Sequence, residues 1–254
     1  MIRFLRPAAE GENEGGYVFP PPEKASREGI VCAGGNLSRG MLLSAYRQGI
    51  FPWYDESSPI LWWSPDPRFI VLPSTFHIPR SARRLGRKRS WTYSLDLAFP
   101  RVIRGCASAA RPGQEGTWIT REMIEAYIAL HESGYAHSVE VWEDGSLVGG
   151  LYGVSLGSCF FGESMFSLRS GASRAAFIRL GAFLFSHGFS LIDSQVKTDY
   201  VAGMGGVEVP RARYLRLLKD ALAAEDKAGD WNIGFPGFAS TQVGKGVENF
   251  FEMP

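Results

Sequence analysis

The sequence predicts an α+β protein in two parts: a small unit over residues 1–66 and a larger domain of alternating strands and helices over 67–254. Three observations predict it. Residues 1–66 are dense in Pro, Gly and Trp and carry a single short helical pattern. From Arg68 the chain holds extended runs joined by tight turns, which suit a mixed, mostly antiparallel sheet. A long apolar helical pattern over 173–186 then precedes one more extended run.

Each element has a local cause. Phe19-Pro20-Pro21-Pro22 is stiff, and Gly34-Gly35-Asn36-Leu37-Ser38 reads as a turn. Met41, Leu42, Ala45 and Tyr46 space a short helix that Gly49 stops, so this unit is expected to be irregular and mostly helical. Pro65-Asp66-Pro67 blocks helix and marks the boundary. Phe69–Leu72 reads as a strand, Pro79–Arg89 as a basic helix opened by proline, and Glu122–His131 as an amphipathic helix entered through Thr120. His137–Trp142 and Ser146–Tyr152 form a hairpin around Asp144-Gly145, a pair that favours the tight primed turn. Ser158–Ser167 is a further strand, Ser173–Ser186 a helix closed by Gly188, Phe189–Val196 a strand, and Arg211–Ala224 a final helix. The tail after about Trp231 has no clear period.

Composition excludes several classes. Of 254 residues, 45% are hydrophobic and 21% charged, which is ordinary globular usage rather than a disordered or fibrous chain. Aromatics make up 13% with 7 Trp, more than a core of this size needs, so some are expected on a binding surface. Cys32, Cys106 and Cys159 are odd in number and form no C-x-x-C, which excludes a disulfide framework or a thiolate zinc site and suits a reducing cytoplasm. The four histidines show no metal-ligand spacing, and no metal is expected. The N-terminal residues lack the apolar stretch of a signal peptide, and the longest uncharged run, 145–162, holds six glycines, so no membrane segment is expected.

Three patterns could carry chemistry. In Ile192-Asp193-Ser194-Gln195, strand alternation would put Asp193 and Gln195 on one face, about 6–7 Å apart. Burying a carboxylate and an amide there is costly unless something polar meets them, although a hydrogen-bonded structural pair is the commoner reading of an isolated D-x-Q. Glu163 lies in the aromatic run Phe160-Phe161-Gly162-Glu163-Ser164-Met165-Phe166, where a lone acid either faces a polar cavity with a raised pKa or sits at a wet strand edge. Finally, the chain carries a net charge of only +1, yet residues 80–104 hold eight cations against Asp96 alone, +7 in all. Arg80, Arg83, Arg84 and Arg87 recur at i, i+3, i+4 and i+7, one helical face, with Lys88 and Arg89 adjoining. Phosphate backbone is the partner this density suits, against the more general reading of a solvated basic face.

Taken together, these segments resemble the leucyl/phenylalanyl-tRNA–protein transferases from about Phe19 to about Leu218. The resemblance rests on Gly34-Gly35-Asn36-Leu37-Ser38, Gly49-Ile50-Phe51-Pro52-Trp53, Leu61-Trp62-Trp63-Ser64-Pro65-Asp66-Pro67-Arg68, Gly116-Thr117-Trp118-Ile119-Thr120, His137-Ser138-Val139-Glu140-Val141-Trp142, Gly162-Glu163-Ser164-Met165-Phe166-Ser167 and Ile192-Asp193-Ser194-Gln195. It implies a small N-terminal domain packed on an N-acetyltransferase-like (GNAT-like) domain. It also implies transfer of Leu or Phe, with Met as a further candidate, from aminoacyl-tRNA to the α-amine of proteins beginning with Arg or Lys, which marks them for degradation. No cofactor is implied, and Arg169-Ser170-Gly171-Ala172-Ser173 does not fit the loop that would hold acetyl-CoA.

By that analogy Asp193 and Gln195 are the catalytic pair, Asp193 polarising or orienting a Gln195 whose side-chain oxygen accepts a hydrogen bond from the attacking amine. Glu163 contacts the amine or the basic N-terminal side chain, and Trp53 and Trp118 flank the terminal adenosine. Phe160, Met165, Phe177, Leu180 and Ile192 form the side-chain pocket, and Arg80, Arg83, Arg84, Arg87 and Lys88 hold tRNA phosphates. The expected partners are aminoacyl-tRNA and acceptor proteins, and a monomer suffices. The chain departs from the family at Tyr200, where a His is usual, and at Asn36, where Asp is common. Two alternatives are an acyltransferase with another donor, which binding of acetyl-CoA would reveal, and a non-catalytic RNA-binding module.

Overall fold

In a computed structural model, residues 2–7, 16–80, 82, 91–109, 118–235 and 238 are described. The first unit differs from the mostly helical expectation. It is a four-stranded sheet in the order β1 (Arg3–Leu5), β2 (Ile30–Gly34), β4 (Leu61–Trp63), β3 (Phe51–Pro52), with one helix, α1 (Arg39–Arg47). These strands have two to five residues, too short for a period-2 pattern to register, and only pairing reveals them. Helix α1 starts where Ser38 accepts a hydrogen bond from the Met41 amide at 3.4 Å.

The large sheet has seven strands in the order β11 (Gly206–Val209), β5 (Arg68–Val71), β10 (Leu191–Asp193), β9 (Cys159–Ser167), β8 (Ser146–Leu156), β7 (Ala136–Glu143), β6 (Thr92–Leu95). Every neighbouring pair is antiparallel except β10 and β9, which run parallel. The β7–β8 hairpin turns at Asp144 and Gly145, whose φ values of 50° and 75° are those a primed turn demands. The crossover from β9 to β10 is α4 (Ala172–Ser186). The other helices are α2 (Phe99–Ser108), α3 (Arg121–Glu132), α5 (Asp199–Ala202), α6 (Arg211–Ala221) and α7 (Trp231–Gly234).

Two apolar clusters cover the large sheet. One unites α2, α3 and α6 with the small sheet, so that Tyr46 and Trp62 share a core with Phe99, Tyr127, Phe161 and Tyr214. The other packs Phe177, Leu180, Phe183 and Leu184 of α4 with Phe69, Phe160, Ile192 and Trp231. Trp231 stacks on the buried His137 at 3.7 Å, and its amide donates to Asp96, which also meets His137 Nδ1 at 2.8 Å. That contact anchors the end of the described chain. Among the described residues no helix is long and apolar enough to cross a membrane.

Candidate active site

A parallel strand pair sends both chains the same way, so the residues just past β10 lie beside the second half of β9. Register pairs Ile192 with Phe160 and Asp193 with Phe161, which brings Gln195 next to Glu163. There a cavity of about 650 Å³ opens. Phe160, Met165, Phe177, Leu180, Ile192 and Leu151 line its apolar part; Glu163, Ser194 and Gln195 its polar part; Trp53 and Trp118 also face it. Trp53 is 38% exposed, and its backbone carbonyl accepts a 2.6 Å hydrogen bond from the indole of Trp63.

Glu163 reaches this cavity because β9 is bulged. Gly153 of β8 pairs with Gly162 and Tyr152 with Ser164, which leaves Glu163 as the extra residue without a partner opposite. A bulge re-aims a side chain and shifts the alternation by one residue. Strict alternation would put Phe160 and Met165 on opposite faces, whereas across this bulge both line the cavity. The Glu163 carboxylate accepts hydrogen bonds from Tyr127 Oη at 3.2 Å and from Gln195 Nε2 at 3.1 Å. Tyr127 is in turn hydrogen-bonded to Tyr46. Burial raises the Glu163 pKa to about 7, against the opposing pull of the tyrosine hydroxyls and of Arg68.

Gln195 is not on the strand face that the alternation suggests. Strand β10 ends at Asp193, and Gln195 sits at φ 55°, in the left-handed region. The reason is local. Asp193 Oδ1 accepts from the Gln195 backbone N–H at 3.0 Å, an Asx turn that competes with the strand ladder. The chain stays attached to β5 through Phe69 N to Gln195 O at 3.1 Å and Ser194 N to Phe69 O at 3.0 Å. With Nε2 committed to Glu163, the amide oxygen of Gln195 remains as its acceptor.

Asp193 is fully buried and paired with the equally buried Arg68. Arg68 Nε donates to Oδ1 at 2.8 Å and Nη2 to Oδ2 at 2.6 Å, while Tyr214 Oη donates to Oδ2 at 2.7 Å. Burial works against the Arg68 charge, and the Asp193 carboxylate outweighs it, so the guanidinium stays ionised. The carboxylate thus meets the backbone of Gln195 rather than its side-chain amide.

All eight residues expected to bind substrate line the one cavity, together with Gln195, while Asp193 lies behind it. Arg80 is exposed; Arg83, Arg84, Arg87 and Lys88 lie outside the described residues, as does most of the helix expected over 79–89. Sequence reasoning gave no role to Arg68, Tyr46, Tyr127 or Tyr214. A signal existed for Arg68 alone: a cation opening the apolar strand Arg68-Phe69-Ile70-Val71 requires a buried anion. Tyr200, which stands where the family usually has His, lines the cavity with its hydroxyl 3.2 Å from Ser173 Oγ and Arg174 over its ring at 5.1 Å.

Comparison with known proteins places the chain in a family. A family model described as leucyl/phenylalanyl-tRNA protein transferase matches residues 70–219, and its N-terminal domain model matches residues 35–66. The leucyl/phenylalanyl-tRNA–protein transferase of Myxococcus xanthus is 51% identical over 217 residues, 85% of this chain and 93% of that protein. The protein of the same name from Syntrophus aciditrophicus is 53% identical over 215 residues, 85% of this chain and 90% of the other. Among solved structures, a GCN5-related N-acetyltransferase-like protein from Streptococcus suis has a TM-score of 0.33 at 12% identity, over 56% of this chain and 59% of that one. With the family models spanning both parts of the chain and half of the aligned residues identical to named members, this chain belongs to the leucyl/phenylalanyl-tRNA–protein transferase family.

Proposed function

We propose that this protein transfers Leu or Phe from the 3′ end of aminoacyl-tRNA to the α-amino group of proteins beginning with Arg or Lys, marking them for degradation. One observation carries the reading: a single cavity joins an apolar wall of Phe160, Met165, Phe177, Leu180 and Ile192 to a hydrogen-bonded Glu163–Gln195 pair. An aminoacyl ester is already activated, so the task is to aim a neutral amine at its carbonyl carbon. A free α-amine with a pKa of about 7.7–8 is partly neutral at physiological pH. The amine nitrogen forms the new C–N bond, and the ester C–O bond to the ribose breaks. The amine proton passes to the Glu163 carboxylate, which hands it on to the departing ribose oxygen, so that the oxygen leaves as a hydroxyl and Glu163 is ionised again. Gln195 Oε1 accepts an N–H of the attacking amine and so fixes its lone pair, with Asp193 holding the Gln195 backbone. Phe160, Met165, Phe177, Leu180 and Ile192 take the Leu or Phe side chain, and Trp53 and Trp118 stack on the terminal adenosine. The protein needs no second copy for this and works in the cytoplasm.

The direct test is transfer of labelled Leu from Leu-tRNA to a peptide beginning with Arg, beside an identical peptide beginning with Ala. Label on the Arg peptide alone is expected. Label on neither, with tRNA still bound, would replace this reading by a binding module.

The basic segment supplies an independent check. Reversing Arg83 and Arg84 to Glu should weaken Leu-tRNA binding and flatten the slope of log affinity against log salt by about 1.5, as loss of two phosphate contacts demands. An unchanged slope in a filter-binding titration would remove this segment from the tRNA surface.

A further inference from the structure

Asp193 has four hydrogen-bond donors around its carboxylate, and none is the side chain of Gln195. They are Arg68 Nε, Arg68 Nη2, Tyr214 Oη and the Gln195 backbone N–H. Arg68 itself is held on three further sides. Its Nη1 donates to the Gly49 carbonyl at 3.3 Å, and its guanidinium lies over the rings of Phe51 at 4.8 Å and Tyr214 at 4.4 Å. Gly49 follows α1 at φ 73°, a left-handed conformation that suits glycine, and a Cβ there would meet the Leu215 side chain at 2.7 Å and the Tyr214 ring at 3.0 Å. Phe51 and Pro52 continue directly into Trp53 at the cavity.

We propose that Arg68 and Tyr214 are positioning residues for the transfer reaction, acting through Asp193 on the backbone of Gln195 and tying the Trp53 wall of the small sheet to the Gln195 wall of the large one. Gln195 is a non-glycine residue in the left-handed region, a conformation that must be held from outside. The Asp193 oxygen that holds it is fixed by Arg68 Nε, and the other oxygen by Arg68 Nη2 and Tyr214. A bidentate guanidinium fixes the carboxylate plane as well as its charge, which an ammonium does not. Loosening either partner therefore lets the Gln195 turn rotate, and Oε1 leaves the line of the attacking amine although substrate still binds. The inference rests on the transferase reading above.

The experiment compares wild type, Tyr214→Phe, Arg68→Lys and Asp193→Asn, alone and with Tyr214→Phe added to Asp193→Asn, in Leu transfer to an Arg peptide. Tyr214→Phe deletes one hydroxyl in an otherwise intact ring. Its kcat should fall about tenfold, and that of Arg68→Lys about a hundredfold, with KM for Leu-tRNA within about twofold of wild type. In the Asp193→Asn background, Tyr214→Phe should cost less than about twofold more, because the hydroxyl meets only Asp193 Oδ2 at 2.7 Å and Arg68 Nη2 at 3.3 Å, the two members of the pair that the Asn substitution already disrupts. A merely structural hydroxyl would instead lower the folded fraction by the same factor in both backgrounds, visible in active-site titration. Should Arg68→Lys fail to fold, the Tyr214→Phe cycle alone decides. A Tyr214→Phe enzyme with wild-type kcat, or losses that multiply in the double mutant, overturns the proposal. A wild-type protein that transfers nothing overturns the reading beneath it.

Discussion

Gln195→Ala should lower the turnover of Leu transfer about a hundredfold, while the dissociation constant for Leu-tRNA changes by less than about twofold. The amide contributes geometry: its Nε2 is fixed on Glu163 at 3.1 Å, which leaves Oε1 as the acceptor for the attacking amine. In the proposed mechanism the apolar chamber and the aromatic wall bind the donor without it, so the loss should fall on kcat. A backbone effect must be separated, because Gln195 sits at φ 55° and Ala tolerates that region poorly. Gln195→Asn supplies the control. Asn adopts the left-handed region readily, yet its amide is one methylene too short to reach Glu163. Both variants should lose turnover alike in a single-turnover assay with preloaded Leu-tRNA. Full activity in Gln195→Ala would remove the amide from the mechanism.

Glu163→Gln should change the pH dependence of transfer as well as its rate. In the proposed mechanism two groups must lose protons before attack: the α-amine of the acceptor, with a pKa of about 7.7–8, and Glu163, raised by burial to about 7. The ionised carboxylate accepts from Tyr127, from Gln195 and from the amine at once, whereas the protonated acid has an oxygen taken up as donor. Log kcat/KM in the wild type should therefore climb with a slope of about two below pH 7 and about one just above it. In Glu163→Gln the slope should stay near one throughout, with the plateau at least about tenfold lower. Stability runs the opposite way. The folded pKa lies above the ordinary 4.5, so the stability that the protonated acid contributes is complete below about 4.5 and is lost as pH rises through about 7. Thermal midpoints of the variant should accordingly vary less between pH 5 and 8 than those of the wild type. A wild-type profile of slope one below pH 7, unaltered by the substitution, would exclude Glu163 as the proton acceptor.

Much of the fold was legible because its elements are long and their punctuation is local. The β7–β8 hairpin followed from alternation around Asp144-Gly145, and α3 from Thr120, whose hydroxyl accepts from the Met123 amide at 3.2 Å. Helix α4 followed from Phe177, Leu180, Phe183 and Leu184, all of which pack in one core. The small sheet was not legible. Phe51–Pro52 and Leu61–Trp63 are strands only because they pair with each other and with β2, and no window of two or three residues carries a period.

The site divides along the same line. From the sequence alone came the candidates that the structure finds around one cavity, since Glu163 in an aromatic run, the Asp193–Gln195 spacing and the family motifs are all written in consecutive positions. How those residues meet was decided only in three dimensions. The parallel register of β9 and β10 sets Gln195 beside Glu163, the bulge at Glu163 turns it into the cavity, and the Asx turn at Asp193 takes Gln195 off the strand. Arg68, Tyr127 and Tyr214 enter from positions 125, 36 and 21 residues away from their carboxylates. A buried charge selects its partner by proximity in a low-dielectric interior, and that proximity is a property of the packed sheet rather than of any stretch of chain.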